Sequence, residues 1–281
     1  MLSNHFHVLL RVPPRPGTLP SDEEILDRCR ALYAPGGMQA VEVEFEDAAR
    51  MGETALARVR AKYLKRMWDL SEFMKTLKQK FTSWFNRQRA RAGTLWESRF
   101  ASVLVEGSHR CLLKVAAYID LNPVRAGLAQ DPKDYRWCGY AEAVSGDRAA
   151  RAGLVLALED ERPGTTWREL GRRYREVLFG IQGDNDSGAG SSVPSPGEVA
   201  RAISSGKKLT LVELLRCRVR YFSAGLAIGT ESFIEAFFSS RRQNFGARRQ
   251  SGARRLKGGG WGRLRCARDL AVEPLSPCGI D

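Results

Sequence analysis

NHFHVLLRV, residues 4–12, is the stretch on which the reading of the whole chain turns. It reads as a β-strand, ended by Pro13-Pro14 and the turn-forming RPGTLP. In a strand, residues i and i+2 face the same side, so the imidazoles of His5 and His7 project together while Phe6 points the other way. Two parallel imidazoles can chelate one divalent ion, though they cannot complete its shell. Taken alone, such a pair is more often incidental than a ligand pair.

The rest of the chain bounds what such a pair serves. The 281 residues leave room for one large domain or two modest ones, and a hydrophobic fraction of 43% suits a globular protein. Lys and Arg number 45 against 32 Asp and Glu, a formal charge of +13, which points to a polyanionic partner, nucleic acid first. The six cysteines show no CxxC spacing, so neither a disulfide framework nor a zinc cluster is expected, and a reducing compartment is. No run approaches the ~18 apolar residues of a membrane helix, and the start lacks a signal peptide's pattern. The expectation is a cytoplasmic protein with no membrane partner.

Ser21-Asp22-Glu23-Glu24 caps a helix running to Leu32, with acids in its first turn. "YAPGGMQ" breaks it, and a charged helical stretch follows at about 41–66. Residues 68–90 form an amphipathic helix, in which Leu70, Phe73, Met74, Leu77, Phe81, Trp84 and Phe85 recur at helical spacing. "RFASVLVEG", residues 99–107, reads as a second strand. Ser108 then caps a helix at 109–121 that Asn122-Pro123 terminates, and a further helix spans 166–179.

Tyr118 and Asn122, four residues apart, fall on one helix face near its end, placing a phenol beside a carboxamide. Alone, the tyrosine is as readily a packing residue with a wet hydroxyl, and the asparagine a stop signal. His109, in the first turn, is an ordinary helix residue.

Four blocks in order, "NHFHVLL", "LSEFMKTLKQKFTSWFN", "GTLWESRFASVLVEG" and "AAYIDLNPVRAGL", resemble the single-tyrosine HUH transposases, the insertion-sequence-200-like group, and among them the REP-associated tyrosine transposases. HUH denotes His, bulky hydrophobic, His, here His5-Phe6-His7. The resemblance covers about residues 1–145.

It implies a metal-dependent enzyme that nicks and rejoins single-stranded DNA, with hairpins of repetitive extragenic palindromes as substrate. His5, His7 and Asn122 would hold Mg²⁺ or Mn²⁺, and Tyr118 would attack the scissile phosphate to give a 5′-phosphotyrosine and a free 3′-OH. A phenol of pKa ~10 needs activation at neutral pH, for which Lys114 and Arg125 are candidates. Lys75, Lys78 and Lys80 beside Trp84 offer phosphate contacts next to an aromatic platform, against which stands a solvated helix back. Arg99 is a further DNA-binding candidate, as are Lys114 and Arg125. Trp96 reads as core.

The fold class implied is α+β, a ferredoxin-like HUH domain with an antiparallel sheet, followed by a helical C-terminal extension. Members carry a strand, a helix and another strand before the HUH strand. This chain starts on that strand, so the domain is expected to be incomplete and N-terminally truncated, and pairing with a second copy as a homodimer is one way to restore the sheet. The expected divisions are an HUH domain at 1–146 with an insertion at about 17–66, a helical extension at 147–180, and a Gly/Ser/Pro linker at 181–197. A small helical module follows at 198–240, built as two helices around "SAGLAIG" in the manner of a helix-turn-helix DNA reader. The segment 241–281 is a basic tail, with ten Lys/Arg and no acid between Arg241 and Arg268, expected to be disordered. The alternatives are a catalytically inactive, truncated DNA-binding remnant and an unrelated metal hydrolase using His5 and His7 with a water nucleophile.

Overall fold

Ser21 accepts a hydrogen bond from the Glu24 N–H, and the Glu24 carboxylate accepts one from the Ser21 N–H; this reciprocal cap starts helix α1, Asp22–Leu32. The computed structural model describes residues 5–158, 164, 166–179, 201, 205, 209–268 and 275–276. Helix α1 opens one of its two compact units, residues 11–100. Pro35 lies in the first turn of α2 (Pro35–Met51), where its missing N–H is harmless, so "YAPGGMQ" starts a helix as well as ending one. Gly52, at φ +101°, separates α2 from α3 (Glu53–Leu64) and divides the single stretch expected at 41–66. Ile25, Cys29, Val41, Phe45 and Tyr63 form the core of this unit.

Helix α4, Leu70–Gln88, is capped by Asp69, and of its residues Met74 is the buried one. Phe73, Leu77 and Trp84 of the apolar stripe remain exposed. Grouping by contacts places α4 with the helices of the expected insertion, in place of the expected division at 1–146 and 17–66.

The other unit joins residues 1–10 to residues 101–281. Its central helix, α5 (His109–Asp120), ends at Leu121, and Asn122 opens a short α6 (Asn122–Arg125) with Pro123 in its first turn. The helix is therefore interrupted rather than terminated at Asn122-Pro123. After α7 (Gly139–Ser145) and α8 (Arg148–Leu158), α9 (Trp167–Phe179) matches the helix read at 166–179. Its Leu170, Tyr174 and Leu178, at i, i+4 and i+8, are fully buried in the main core.

The strands depart most from expectation. Residues 5–12 form no strand, because strand structure needs a pairing partner and no described segment supplies one. Of the strand expected at 99–107, β1 is Leu104–Val105 alone. Further on lie α10 (Leu211–Leu215), β2 (Arg218–Val219), α11 (Tyr221–Ala224), β3 (Ala227–Gly229), α12 (Glu231–Ser240), β4 (Arg254–Arg255), β5 (Arg265–Cys266) and β6 (Leu275–Ser276). The main sheet runs β1-β3-β5-β4, with β1 parallel to β3 and the other pairs antiparallel, and β2 pairs with β6. The described residues thus make an α+β fold of twelve helices with a small mixed sheet.

Three of the four main strands come from the region read as helical or disordered. "SAGLAIG" contains β3, one of the two central strands, not a helix-turn-helix corner: Ala227 and Ile228 are fully buried, and a side chain on Gly229 would strike Phe233 and Glu106. Up to Arg268 the basic tail is ordered. Leu256, Trp261, Leu264 and Cys266, spread among the arginines, are buried in the core and anchor the backbone. Gly260 packs so closely on Leu209–Leu211 that a Cβ would lie 2.7 Å from the Leu211 nitrogen, so this glycine serves close approach. The linker at 181–197, tail residues 269–274 and 277–281, and parts of the module at 198–240 lie outside the described residues. No described helix is long and apolar enough to cross a membrane, and the five described cysteines are buried.

Candidate active site

The expected ligands and nucleophile do come together, although His5 and Asn122 are 117 positions apart. The His5 and His7 rings lie 5.2 Å apart between centroids, at 77°. Asn122 Nδ2 sits 3.3 Å from His5 Nε2, and the Tyr118 ring is 6.2 Å from His7. Tyr118 projects from the last turns of α5 and Asn122 starts α6, so the break at Leu121 keeps both side chains on the face met by the N-terminal segment.

Arg125, on α6, organises this cluster from inside. It is 8% exposed, and its Nη2 donates to the Tyr118 carbonyl at 2.7 Å and to Asn122 Oδ1 at 3.1 Å, while Nη1 donates to the Leu215 carbonyl at 2.8 Å. Its guanidinium carbon lies 3.8 Å from the Tyr118 ring centroid, in cation–π contact. Phe222 covers Tyr118 as well, with ring centroids 4.7 Å apart. Tyr118 is accordingly only 4% exposed. Arg125 therefore does not stand on the surface as a phosphate contact: its charge is spent on carbonyls and an amide oxygen within the fold.

His7 is held at a pKa of about 4 by burial first, then by the charges of His5 and Arg125, so its imidazole is neutral and its lone pair available at neutral pH. No three His, Cys, Asp or Glu side chains among the described residues are grouped to hold a metal; beside the two imidazoles, this cluster presents the Asn122 amide. As donor types, two imidazoles and an amide oxygen suit a first-row transition ion such as Mn²⁺ better than Mg²⁺, which takes oxygen ligands. In this conformation the amide directs its nitrogen to His5 and its oxygen to Arg125; the oxygen retains a second lone pair.

Comparison with protein-family models, curated proteins and solved structures gives no match.

Of the other expected DNA contacts, Lys114 lies in the unit of Tyr118. Lys114 is half-buried, with its ammonium donating to the Trp261 carbonyl at 2.9 Å and its pKa lowered by burial. Lys75, Lys78, Lys80 and Arg99 belong to the other compact unit. There Lys78 donates to the Ser98 carbonyl and lies over Trp96, and Lys80 donates to the Leu32 carbonyl. Lys75, exposed, pairs with Glu72 at 3.4 Å, and Arg99 is exposed. His109 accordingly serves structure, its Nδ1 bonded to the Leu158 carbonyl at 2.5 Å.

Sequence reading also passed over several groups at the site. A cavity of about 160 Å³ opens beside the cluster, lined among others by His7, Asp120, Asn122, Pro123, Trp137 and Cys138. Asp120 is buried; its Oδ2 accepts from the Tyr174 hydroxyl at 2.5 Å and its Oδ1 from the Cys138 thiol at 3.2 Å. Burial raises the Asp120 pKa against those hydrogen bonds, and burial together with Asp120 raises the Cys138 thiol to about 12. Only the apolar company of Tyr174 on α9 hinted at an inward-facing tyrosine; nothing local marks its partner.

Proposed function

We propose that this chain is a metal-assisted tyrosine nuclease and strand-transfer enzyme acting on single-stranded DNA hairpins, of the single-tyrosine HUH transposase type, with a ferredoxin-like domain. The observation that carries the reading is the convergence of His5, His7, Tyr118 and Asn122 from two distant segments onto one cluster. The net charge of +13 suits the polyanionic substrate, and DNA as partner implies a cytoplasmic, nucleoid-associated protein.

In this reading the Tyr118 oxygen attacks phosphorus in line, the phenol loses its proton, and the P–O3′ bond breaks as the 3′ oxygen takes up a proton. The 5′ end stays on Tyr118 as a phosphotyrosine. Attack by a 3′-OH on that link rebuilds a phosphodiester and frees the phenol, so joining needs no ATP. A divalent ion held by His5, His7 and Asn122 would supply charge neutralisation at the phosphate. Arg125 positions both halves, holding the Asn122 amide and the Tyr118 backbone with one nitrogen.

A second reading rests on a specific observation, the burial of Tyr118 under Arg125 and Phe222. A protein that never exposes this phenol is a non-catalytic DNA-binding remnant. One experiment separates the two. Labelled single-stranded hairpin DNA is incubated with Mn²⁺ and run on a denaturing gel. The enzyme reading expects a covalent adduct that disappears with Tyr118→Phe, with His5→Ala/His7→Ala, and with EDTA. DNA that is retarded on a native gel but never linked supports the remnant. Cleavage that survives Tyr118→Phe refutes both and supports a hydrolase with a water nucleophile.

A further inference from the structure

We infer that the cavity beside His7 and Asn122 is a seat for one unpaired nucleobase, stacked on Trp137; the inference rests on the proposed action on single-stranded DNA and adds where that strand is gripped. The cavity, at about 160 Å³, is well below the range of pockets for drug-sized ligands or large cofactors and matches a single planar ring system. Two of its walls, Ile119 and Pro123, are apolar, and His7 and Asn122 line it on the side of the phenol.

Trp137 contributes the third wall, and its exposure sets it apart. Tyr118, Tyr140, Tyr174 and Trp261 in the same unit are all below 5% exposed, whereas Trp137 is 54% exposed. An exposed indole lining a cavity of mixed polar and apolar walls offers a stacking platform, and base–aromatic stacking is tolerant of sequence because every base has a π-face. The exposed Arg136 guanidinium lies 4.8 Å from the Trp137 ring centroid, placing a positive charge where the nucleotide's phosphate runs past the platform. Asp120, although part of the lining, has both carboxylate oxygens engaged by Tyr174 and Cys138, so it does not read a base edge. The seat therefore selects an unpaired nucleotide over a paired one, which cannot leave its stack without cost, and carries little base preference.

The test uses full-length Tyr118→Phe protein, so that binding is read without covalent chemistry. The probe is a fluorescent hairpin with a single-stranded arm in which each arm nucleotide in turn is made abasic; affinity is read by anisotropy. One abasic position is expected to weaken binding about 5- to 150-fold, the range of one stacked base. Adding Trp137→Ala is expected to weaken the intact probe by a similar factor and to abolish the penalty at that position, while Trp137→Phe restores much of it. Because Trp137 is exposed, these variants keep the fold. Equal binding by Trp137→Ala, or an abasic penalty that persists without the indole, overturns the seat. Coupling without any adduct in the wild type leaves the seat standing while the chemistry falls; an adduct without coupling does the reverse.

Discussion

Trp261→Ala tests whether the basic C-terminal segment is part of the fold. The indole is 1% exposed, donates from Nε1 to the Lys257 carbonyl at 2.8 Å, and meets Phe222 edge to face at 5.6 Å. Truncating a buried tryptophan to alanine costs about 3–5 kcal/mol in lost burial and residual cavity. The Lys257 carbonyl loses its partner as well, and the edge-to-face pair is lost at ~0.5–1.5 kcal/mol. The burial and ring-pair losses together, about 3.5–6.5 kcal/mol, are a large part of the ~5–15 kcal/mol that holds a typical domain. Since Phe222 also covers Tyr118, the loss reaches the candidate site. Urea unfolding followed by far-UV circular dichroism gives the stability change, and hydrogen exchange of the α5 amides reports it locally. Trp261→Phe, which keeps most of the bulk and loses the donor, is expected to cost only about 1–2 kcal/mol. A Trp261→Ala protein within ~1 kcal/mol of wild type, with α5 exchange unchanged, refutes the assignment of this segment to the core.

Arg125→Gln removes hydrogen bonds to the Tyr118 and Leu215 carbonyls and releases the Asn122 amide; a loss of about 2–4 kcal/mol in urea unfolding is expected, and no destabilisation would show that the guanidinium is not buried. Asp22, gripped through two oxygens by Arg60, has its pKa lowered chiefly by that hydrogen bond. A carboxylate whose pKa falls on folding adds stability that is present above its unfolded value, near ~3.9, and is lost as pH falls through the folded value. Asp22→Asn should therefore destabilise the 11–100 unit by about 0.5–1 kcal/mol at pH 7 and by progressively less as the pH falls through the folded value, a trend read from thermal melts across the acid range.

Local signals were enough for the helices whose ends are written in neighbouring residues. Ser21 and Glu24 cap α1 as their spacing requires, and the apolar i, i+4, i+8 series Leu170, Tyr174, Leu178 marks α9 and its buried face. The strands were not legible in the same way. The spacing of His5 and His7 names a face but not a partner, and in the structure residues 5–12 form no strand while the short "AIG" becomes a central strand of the sheet. The tail misled for a related reason. Ten basic residues dominate its composition, yet a few apolar side chains placed at Leu256, Trp261 and Leu264 suffice to pin it, and glycines let it approach the backbone it packs on.

By itself the sequence determined which chemical groups are available, their order, and the helices on which Tyr118 and Trp167 begin or end their runs, because these depend on residues a few positions apart. Only the tertiary structure decided that His5 lies 3.3 Å from Asn122, that Arg125 faces inward onto Tyr118 rather than outward toward phosphate, and that Trp137 stands over a cavity at the same place. Those are contacts between segments far apart in the chain. They follow from how the core around α5 closes, which depends on burial summed over the whole unit and not on any local pattern.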